Sequence, residues 1–544
     1  MSASSKKKLR KEQNAAAMTE KQLKEKAEAK KLKVTSVLFA VLMILILVVS
    51  LTMLIINGVR GSGIIEKNTT AVTVGDHKIN NLVMSYYYTD TVSNTYNEWY
   101  ATYGADTALF LSMMQLDVSL PLDQQNHPDG GTWADYFLNV AMDRVRADYI
   151  TYDIAMAEGF TLSAEENLNL ESTVSYKDLY AMSSGYTDVD DYMVAVYGPG
   201  ASRDSYYDYA EVSAIASAYY NHYSNSLTYT EEDIRAHEAG KEIDYNAYTY
   251  DSYYLGYNSF LPEGTTSPSN EQISNASALA KIEGTKLLSA TNTEELDAAI
   301  AALPINEGKT TAASTKYENM LYGSVNSVVR DWVTDSARKA NDIEMIANEV
   351  TTTDDEGKET TTINGYYVVM FHSATDNTEP MGNVRHLLVP FEGGTKNEAG
   401  VTVYSDEEKA AAKATADGYL ETWKSGEATE ESFIELVQQY SLDSSAPNGG
   451  LFEDIHPESP YVPNFLNWSI DPDRKAGDTE VIETEYGYHV MYYCGDDELS
   501  YRDYMITEEL RNHDLDHWFT ESVESVAIEK GDTSRMKLDL ILAS

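Results

Sequence analysis

Apolar residues follow three different patterns along the chain, and the first pattern is one continuous run. Residues 34–56 contain no charged side chain, and their polar side chains are Thr35, Ser36, Ser50 and Thr52. A run of about 20 apolar residues is long enough to cross a hydrocarbon layer of about 30 Å as a helix. The pattern therefore predicts a single transmembrane helix over 34–56.

The second pattern is helical spacing, and it covers much of residues 57–242. Apolar residues recur every three or four positions in 133–159 and again in 207–223. In the first of these segments the stripe comprises Phe137, Val140, Ala141, Val145, Ile150 and Ile154. Residues 71–79 (AVTVGDHKI) precede the helices and are typical of a strand, a Gly-Asp turn and the start of a second element. This region is predicted to be mostly helical.

The third pattern mixes strands with amphipathic helices and occupies residues 380–497. Period-two alternation predicts two strands. One face of the first holds Val384, His386 and Leu388, and one face of the second holds His489, Met491 and Tyr493. Between them, Ser405 and Glu408 form a capping box that opens a helix running to about residue 424, and a second helix follows near 433–440. These elements predict an α+β domain, with a small sheet backed by helices.

Part of this third pattern occurs twice. Residues 332–346 (WVTDSARKANDIEMI) align without a gap on 468–482 (WSIDPDRKAGDTEVI), and GYYVVMF from Gly365 matches GYHVMYY from Gly487. The offsets of the two matches differ, so we expect an inserted loop rich in Thr, Asp and Glu around 351–362. Chance similarity in a tyrosine-rich chain is the alternative, but an ungapped block followed by a matching strand favours a repeat.

The repeat and the apolar patterns together predict the organisation of the chain. We expect residues 243–375 to be an earlier copy of the α+β domain. The predicted segments are a basic tail (1–33), a transmembrane helix (34–56), a helical region (57–242), the first copy (243–375), the second copy (380–497) and a C-terminal helical segment (498–544).

Charge is distributed unequally on the two sides of the apolar run. The first 33 residues contain eleven Lys or Arg and four Asp or Glu, a net of +7, which leaves −54 for the remainder of a chain whose net charge is −47. The positive-inside rule then places the tail in the cytoplasm and residues 57–544 outside the cell membrane. A cleaved signal peptide is the alternative, but its apolar core is shorter and a small-residue cleavage site follows it, which 57–60 (NGVR) does not provide.

The remaining composition excludes several classes of function. An acidic chain does not suit binding to nucleic acid, because phosphates call for Lys and Arg. Calcium or a cationic environment could use the acidity, although scattered carboxylates are more often a solvated surface. The single cysteine, Cys494, allows neither an internal disulfide nor an N-terminal lipid anchor.

The candidate chemistry lies between the two histidine-bearing strands. His386 and His489 flank residues 443–450 (DSSAPNGG), whose first residue is Asp443. One histidine on a strand is more often a buried core residue than a catalytic one. A metal site built from the three side chains is possible by residue type, but the chain has no close ligand spacing, and we expect no metal and no cofactor.

In this order the three residues resemble the parvulin-type peptidyl-prolyl cis-trans isomerases. The resemblance implies that His386, Asp443 and His489 are catalytic. It also implies that the proline ring of a substrate is held by Leu451 or Phe452, by Tyr461 and by Phe465. This chain departs from the family at 451–452, at Tyr461 where the family has Met, and by one extra residue between Gly450 and Tyr461, all of which alter the shape of the proline pocket.

The order of the whole chain resembles the SurA and PrsA group of extracytoplasmic foldases. That resemblance implies that segments 60–242 and 500–544 associate into a chaperone cradle. We therefore expect a membrane-anchored prolyl isomerase and chaperone that acts on unfolded or newly translocated polypeptides with X-Pro bonds. A holdase without enzymatic activity and an envelope adaptor, each using the parvulin folds as scaffolds, are the alternatives.

The repeat predicts that the first copy has no isomerase activity. Tyr367 stands at the place of His489, and we expect Tyr253 at the place of the first-strand histidine. Nothing like the DSSA sequence occurs in the first copy. It is therefore expected to keep the fold as a spacer or a peptide-binding surface.

Overall fold

The chain folds into two units. The computed structural model describes residues 3–309, 311–353, 357, 359–397 and 400–542, apart from the side chains of 15–23, 26–30, 32, 34–40 and 54–60. The first unit comprises the residues up to Leu227 together with those from Asp514 onward, and the second unit is Thr228–His513. The domain boundaries predicted at 242 and 498 stay predictions.

Helices form most of the first unit and also occur in the second. In chain order the helices are α1 (Ala3–Gly61), α2 (Ile64–Asn68), α3 (Asn81–Tyr103), α4 (Thr107–Met113), α5 (Trp133–Glu158), α6 (Ala164–Ser183), α7 (Val189–Tyr197), α8 (Arg203–Ser226), α9 (Glu231–Glu238), α10 (Asn270–Leu287), α11 (Thr293–Ala301), α12 (Arg330–Val333), α13 (Asp406–Ser425), α14 (Glu430–Tyr440), α15 (Pro463–Ser469) and α16 (Tyr501–Phe519). The prediction of a largely helical region before residue 242 is confirmed.

Strands are concentrated in the second unit. In chain order they are β1 (Thr70–Val74), β2 (His77–Asn80), β3 (Ala247–Gly256), β4 (Thr315–Leu321), β5 (Ile343–Thr353), β6 (Glu359–Thr375), β7 (Pro380–Pro390), β8 (Thr395–Lys396), β9 (Thr402–Val403), β10 (Leu451–Ile455), β11 (Thr479–Thr484), β12 (Gly487–Ser500) and β13 (Ile528–Lys530). The predicted α+β class is confirmed by this mixture of helices and antiparallel sheets.

The predicted transmembrane segment, 34–56, lies within α1. The side chains of 34–40 and 54–56 fall outside the described residues. Within the part of the chain that the structure describes, no helix combines the length and the apolar character needed to cross a membrane. The membrane span stays a prediction.

In the first unit, the start and the end of the chain share one sheet. β1 lies in the centre and pairs antiparallel with β2 on one side and with β13 on the other. The turn between β1 and β2 contains Gly75, whose φ of 54° suits a residue without a Cβ. The strand and Gly-Asp turn predicted for 71–79 are confirmed.

The core of the first unit is organised around α5. Thr132 and Asp135 cap its N-terminus reciprocally, and Gly159, at a φ of 73°, ends the helix in the left-handed conformation. The predicted stripe packs inward at Phe137, Ala141 and Val145, which are fully buried. Val140 is 38% exposed, so its assignment to the stripe was wrong.

The second unit contains two four-stranded sheets with the same connectivity. Their strand orders are β4-β3-β6-β5 and β10-β7-β12-β11, all antiparallel. The two central strands of each sheet are the first and the last long strand of their segment, β3 with β6 and β7 with β12. The strand that forms a hairpin with the last strand, β5 or β11, lies at one edge. The two segments predicted to be copies therefore share one topology.

The loop expected at 351–362 is instead largely a β-hairpin. β5 and β6 extend beyond the rest of their sheet, with pairs that continue to Thr352 opposite Thr360 and Thr353 opposite Glu359. Residues 354–356 and 358 lie outside the described residues. The loop prediction was wrong because the threonines of this segment are β-branched and favour an extended backbone.

Candidate active site

Two central strands bring the candidate histidines together. β7 and β12 pair antiparallel, with His386 opposite Met491 and Leu388 opposite His489, so both imidazoles project from the same face. Their Nδ1 atoms lie 2.8 Å apart, and the ring centroids are 5.0 Å apart at an interplanar angle of 23°. Only 2% of His386 and 5% of His489 is exposed. The two rings therefore form one buried, hydrogen-bonded pair.

Asp443 lies at the outer end of this pair, on the turn before Gly449. Its Oδ1 atom is 3.5 Å from Nε2 of His386. The same oxygen accepts hydrogen bonds from the hydroxyl of Ser445 at 2.6 Å and from the Ser445 backbone N–H at 2.8 Å. His386 and these Ser445 donors stabilise the charged form and hold the pKa of the Asp443 carboxyl well below its usual range. Asp443 is therefore a carboxylate at neutral pH.

Thr484 lies at the other end of the pair, and the sequence analysis did not include it. Its Oγ1 atom is 2.8 Å from Nε2 of His489. The residue is buried at the end of β11, directly before the two-residue turn that leads to Gly487 in β12. The sequence indicated this role only through the position of Thr484, just before the turn into the strand of His489. Ser445 was also missed as a site residue, although it belongs to the DSSA sequence.

The four side chains form a chain of hydrogen bonds with a defined direction. Because Asp443 is ionised, it favours a proton on Nε2 of His386, which leaves Nδ1 of a neutral His386 as an acceptor. His489 then donates from Nδ1 and accepts from the Thr484 hydroxyl at Nε2. If both imidazoles gained a second proton, two Nδ1–H groups would face each other across 2.8 Å. The pair therefore holds one extra proton at most.

The pKa of His489 is lowered, in agreement with this restriction. Burial, followed by the charge that His386 can carry, lowers the pKa of His489 from 6.5 to about 4. His489 is neutral in the folded protein throughout the physiological range.

We expect the stability of this domain to fall as the pH drops from 6.5 to about 4. In that window the unfolded chain binds a proton at His489 that the folded chain does not, so the free energy of unfolding decreases by up to about 3 kcal/mol. The measurement is the urea midpoint of unfolding, followed by tryptophan fluorescence, at several pH values, compared with His489→Gln. Equal pH slopes for the two proteins between 6.5 and 4 would contradict the assignment.

Three aromatic rings surround the histidine pair on the same face of the sheet. The ring centroid of Phe465 lies 5.2 Å from that of His386 and 5.7 Å from that of His489. Phe452 lies 5.1 Å from His386, and Tyr461 lies 5.4 Å from Phe452 and 5.3 Å from Phe465. Phe465 is 4% exposed, whereas Phe452 and Tyr461 are partly exposed. The rings form an apolar surface beside the imidazoles.

Leu451 does not belong to this surface. It pairs with Arg385, whose Nε atom donates to Glu430 of α14 at 2.8 Å, whereas Phe452 pairs with Val384 on the histidine face. Consecutive residues of a strand point to opposite faces of a sheet. The structure therefore places Phe452 at the site and Leu451 on the face covered by helices, which corrects the candidate role of Leu451.

Gly450 fixes the position of the His386 backbone. The N–H of His386 donates to the carbonyl oxygen of Gly450 at 3.0 Å. Gly450 has a φ of 66°, and a Cβ atom at this position would lie 2.2 Å from the carbonyl oxygen of His386. The close approach of the two backbones requires glycine. The Gly-Gly sequence thus joins the Asp443 turn to the strand of His386.

The same register identifies the corresponding residues in the first copy. Ser252 pairs with Val369 in β3 and β6, as His386 pairs with Met491 in β7 and β12. Ser252, and not Tyr253, therefore occupies the place of the first-strand histidine. Tyr253 packs on the opposite, helix-covered face, because a shift of one residue reverses the face. Tyr367 occupies the place of His489 and packs on Tyr254 with a centroid distance of 4.6 Å.

Other candidate chemistry near the site does not form a cluster. Among the residues that the structure describes, no group of three or more His, Cys, Asp or Glu side chains has an arrangement that could hold a metal ion. Burial raises the pKa of the Cys494 thiol to about 12, so this cysteine is protonated at neutral pH.

Comparisons with known proteins identify the segment that holds the site. A family model described as "Rotamase: PPIC-type PPIASE domain" matches residues 386–494. No curated protein matches the chain.

Several solved structures are similar to part of the chain. The PPIase domain of TBPAR42 is 20% identical, with 21% of this chain and 98% of that one covered and a TM-score of 0.17. PrsA from Bacillus subtilis is 23% identical, with 26% and 47% covered and a TM-score of 0.17. PrsA from Bacillus anthracis is 20% identical, with 28% and 59% covered and a TM-score of 0.16. The chain thus spans about half the length of the two PrsA chains.

Proposed function

We propose that this chain, which carries a parvulin-type peptidyl-prolyl isomerase domain, accelerates the cis-trans isomerisation of X-Pro bonds in unfolded polypeptides. The observation that carries the proposal is the contact between the buried His386–His489 pair and the aromatic surface of Phe452, Tyr461 and Phe465. A polypeptide with X-Pro bonds is the substrate on which such a domain acts.

The chemistry requires stabilisation of a twisted amide and no covalent intermediate. The barrier to rotation is about 18 to 20 kcal/mol because resonance gives the C–N bond partial double-bond character. An acceleration of about a thousandfold needs only about 4 kcal/mol of preferential binding to the transition state. A site that weakens the resonance of one amide is therefore sufficient.

The side chains around the pair can supply this preference. The apolar surface of Phe465, Phe452 and Tyr461 would hold the pyrrolidine ring and exclude water from the amide, which disfavours the planar, charge-separated form. The Asp443 carboxylate beside the carbonyl oxygen would raise the energy of the resonance form that places negative charge on that oxygen. The histidine pair fixes the carboxylate through its contact with Nε2 of His386.

An isomerisation assay with Asp443→Ala tests this arrangement. We expect kcat/KM of the full chain for a proline-containing tetrapeptide to fall by about tenfold or more, because the negative charge beside the carbonyl is lost. Asp417→Ala is the matched control, because the Asp417 side chain on α13 is 45% exposed and pairs with Lys413. Full activity of the Asp443 variant would exclude the carboxylate from the mechanism.

We also propose that the isomerase acts outside the cell membrane, to which residues 34–56 anchor it. The basic tail, the apolar run and the acidic remainder of the sequence support this orientation. Clients would then be newly translocated polypeptides. External protease added to cells without their wall should degrade residues 57–544 and leave an N-terminal epitope protected. Protection of a C-terminal epitope would contradict the proposed orientation.

The first α+β segment, 243–375, is proposed to be a copy of the isomerase domain without its activity. The shared strand order of the two sheets supports a duplication. Ser252 and Tyr367 at the places of the two histidines support the loss of activity. This copy would then serve as a spacer or as a peptide-binding surface. The first unit would act as the chaperone part of the chain.

A further inference from the structure

The first unit contains a cavity of about 700 Å³ that the isomerase reaction does not use. Helices α3, α5, α6, α7 and α8 line it. Its volume lies within the range of about 300 to 1,000 Å³ that is typical of sites for small ligands. The chemistry of its walls indicates the class of ligand.

Two acidic and two basic side chains line the cavity, Asp90, Glu166, Arg144 and Lys177, so their formal charges cancel. Both carboxylate oxygens of Asp90 accept hydrogen bonds, from the hydroxyl groups of Tyr197 at 2.9 Å, Tyr206 at 2.7 Å and Tyr209 at 3.2 Å. The Nζ atom of Lys177 donates to the Tyr197 hydroxyl at 2.7 Å and lies 3.8 Å from Asp90. A lining whose charges cancel in this way favours a neutral ligand over an ionic one.

The walls present exposed hydrogen-bonding groups. Four exposed side-chain amides line the cavity and make no side-chain hydrogen bond to another described residue: Asn94, Asn97, Asn169 and Asn221. Each amide offers two donors and one acceptor with two lone pairs. The wall residue Thr89, 6% exposed, also has a buried hydroxyl group without a partner in the described part of the chain. A ligand that fills the cavity must return many hydrogen bonds to avoid a cost in desolvation.

Two tyrosine rings are open to solvent where they line the cavity. Tyr176 is 55% exposed and Tyr180 is 54% exposed, both on α6. A ring in this position offers a flat apolar face beside a polar interior. Aliphatic side chains are few in the lining, and Leu170 and Val196 are the largest of them.

We propose that this cavity binds a neutral, hydroxyl-rich ligand, a short oligosaccharide. Sugar hydroxyl groups donate and accept as the four amides do, and the C–H faces of sugar rings pack on exposed tyrosine rings. An extended peptide fits less well, because peptide-binding grooves rely on apolar pockets for alternate side chains. The cavity lies within the first unit, so this binding is independent of the isomerase site.

Calorimetric titration of the full chain tests the proposal, in a detergent without a sugar headgroup. The probes are cellobiose, maltotriose, N,N′-diacetylchitobiose and a proline-containing tetrapeptide. We expect at least one saccharide to bind with a Kd of about 1 mM or tighter. Tyr176→Ala should weaken that binding by about tenfold, whereas Tyr176→Phe should retain it because the ring face is kept.

Tyr100→Ala is the control, because Tyr100 is 60% exposed and lies outside this cavity. Its saccharide affinity should equal that of the unmodified chain. Three results would overturn the proposal: no binding of any of the three saccharides, the same affinity for Tyr176→Ala as for the unmodified chain, or binding of the tetrapeptide alone that Tyr176→Ala abolishes.

Discussion

Replacing both His386 and His489 by alanine is expected to lower kcat/KM for X-Pro isomerisation by about a hundredfold. This loss would remove most of an enzymatic acceleration of about a thousandfold. The double variant removes the centre of the hydrogen-bonded chain from Thr484 to Asp443. Without the contact from Nε2 of His386, the Asp443 carboxylate loses the largest of the interactions that lower its pKa, and the Ser445 donors alone hold it in place. The measurement is isomerisation of a tetrapeptide by the full chain.

The same variant tests the proposed inactivity of the first copy. His517→Ala is the matched control, because His517 is 62% exposed at its side chain and lies outside the isomerase domain. Circular dichroism and the melting temperature should show that the double variant is folded. A folded double variant that keeps a third of the original activity would contradict the role of the pair, or would show that 243–375 is itself an isomerase.

Gly450→Ala is expected to lower both the stability of the isomerase domain and its activity. The added Cβ atom would lie 2.2 Å from the carbonyl oxygen of His386 and 3.0 Å from Cγ1 of Val437, and the φ of 66° is unfavourable for alanine. Relief of this overlap must move β7 and His386 with it. We expect a loss of about 3 kcal/mol or more in the free energy of unfolding and a loss of activity at temperatures where the domain is still folded.

Gly418→Ala is the matched control for this substitution. Gly418 lies inside α13, and nothing beyond the neighbouring residues and backbone of its own helix lies within 4 Å of the position of an added Cβ atom. Alanine is the better helix former, so the urea midpoint of unfolding, followed by tryptophan fluorescence, should rise. The expected gain in the free energy of unfolding is about 0.5 to 1 kcal/mol. If the two variants had the same midpoint, the close approach of Gly450 to His386 would not constrain the site.

The sequence allowed the main strands and the histidine face to be predicted because a strand has a period of two. Alternation placed His386 on the same face as Val384 and His489 on the same face as Met491, and Val384 and Met491 belong to one buried cluster. The capping box of Ser405 and Glu408 likewise marked the start of α13. Local patterns of this kind depend on neighbouring residues alone.

Pairing between distant strands could not be predicted in the same way. The choice between Leu451 and Phe452 depends on the register of β10 against β7, and the choice between Tyr253 and Ser252 depends on the register of β3 against β6. An error of one residue reverses the face in each case. Thr484 contacts His489 through the geometry of a hairpin, which no spacing in the sequence states directly.

Refolding of a substrate protein whose slow phase is limited by proline isomerisation tests the central claim most directly. The full chain, present at a small fraction of the substrate concentration, should accelerate the slow phase, because a catalyst turns over many times and the uncatalysed exchange takes about tens to hundreds of seconds. The His386→Ala/His489→Ala variant should not accelerate it at the same concentration. Acceleration or protection only at near-equal concentrations, equal for both proteins, would contradict the enzymatic account and identify a holdase.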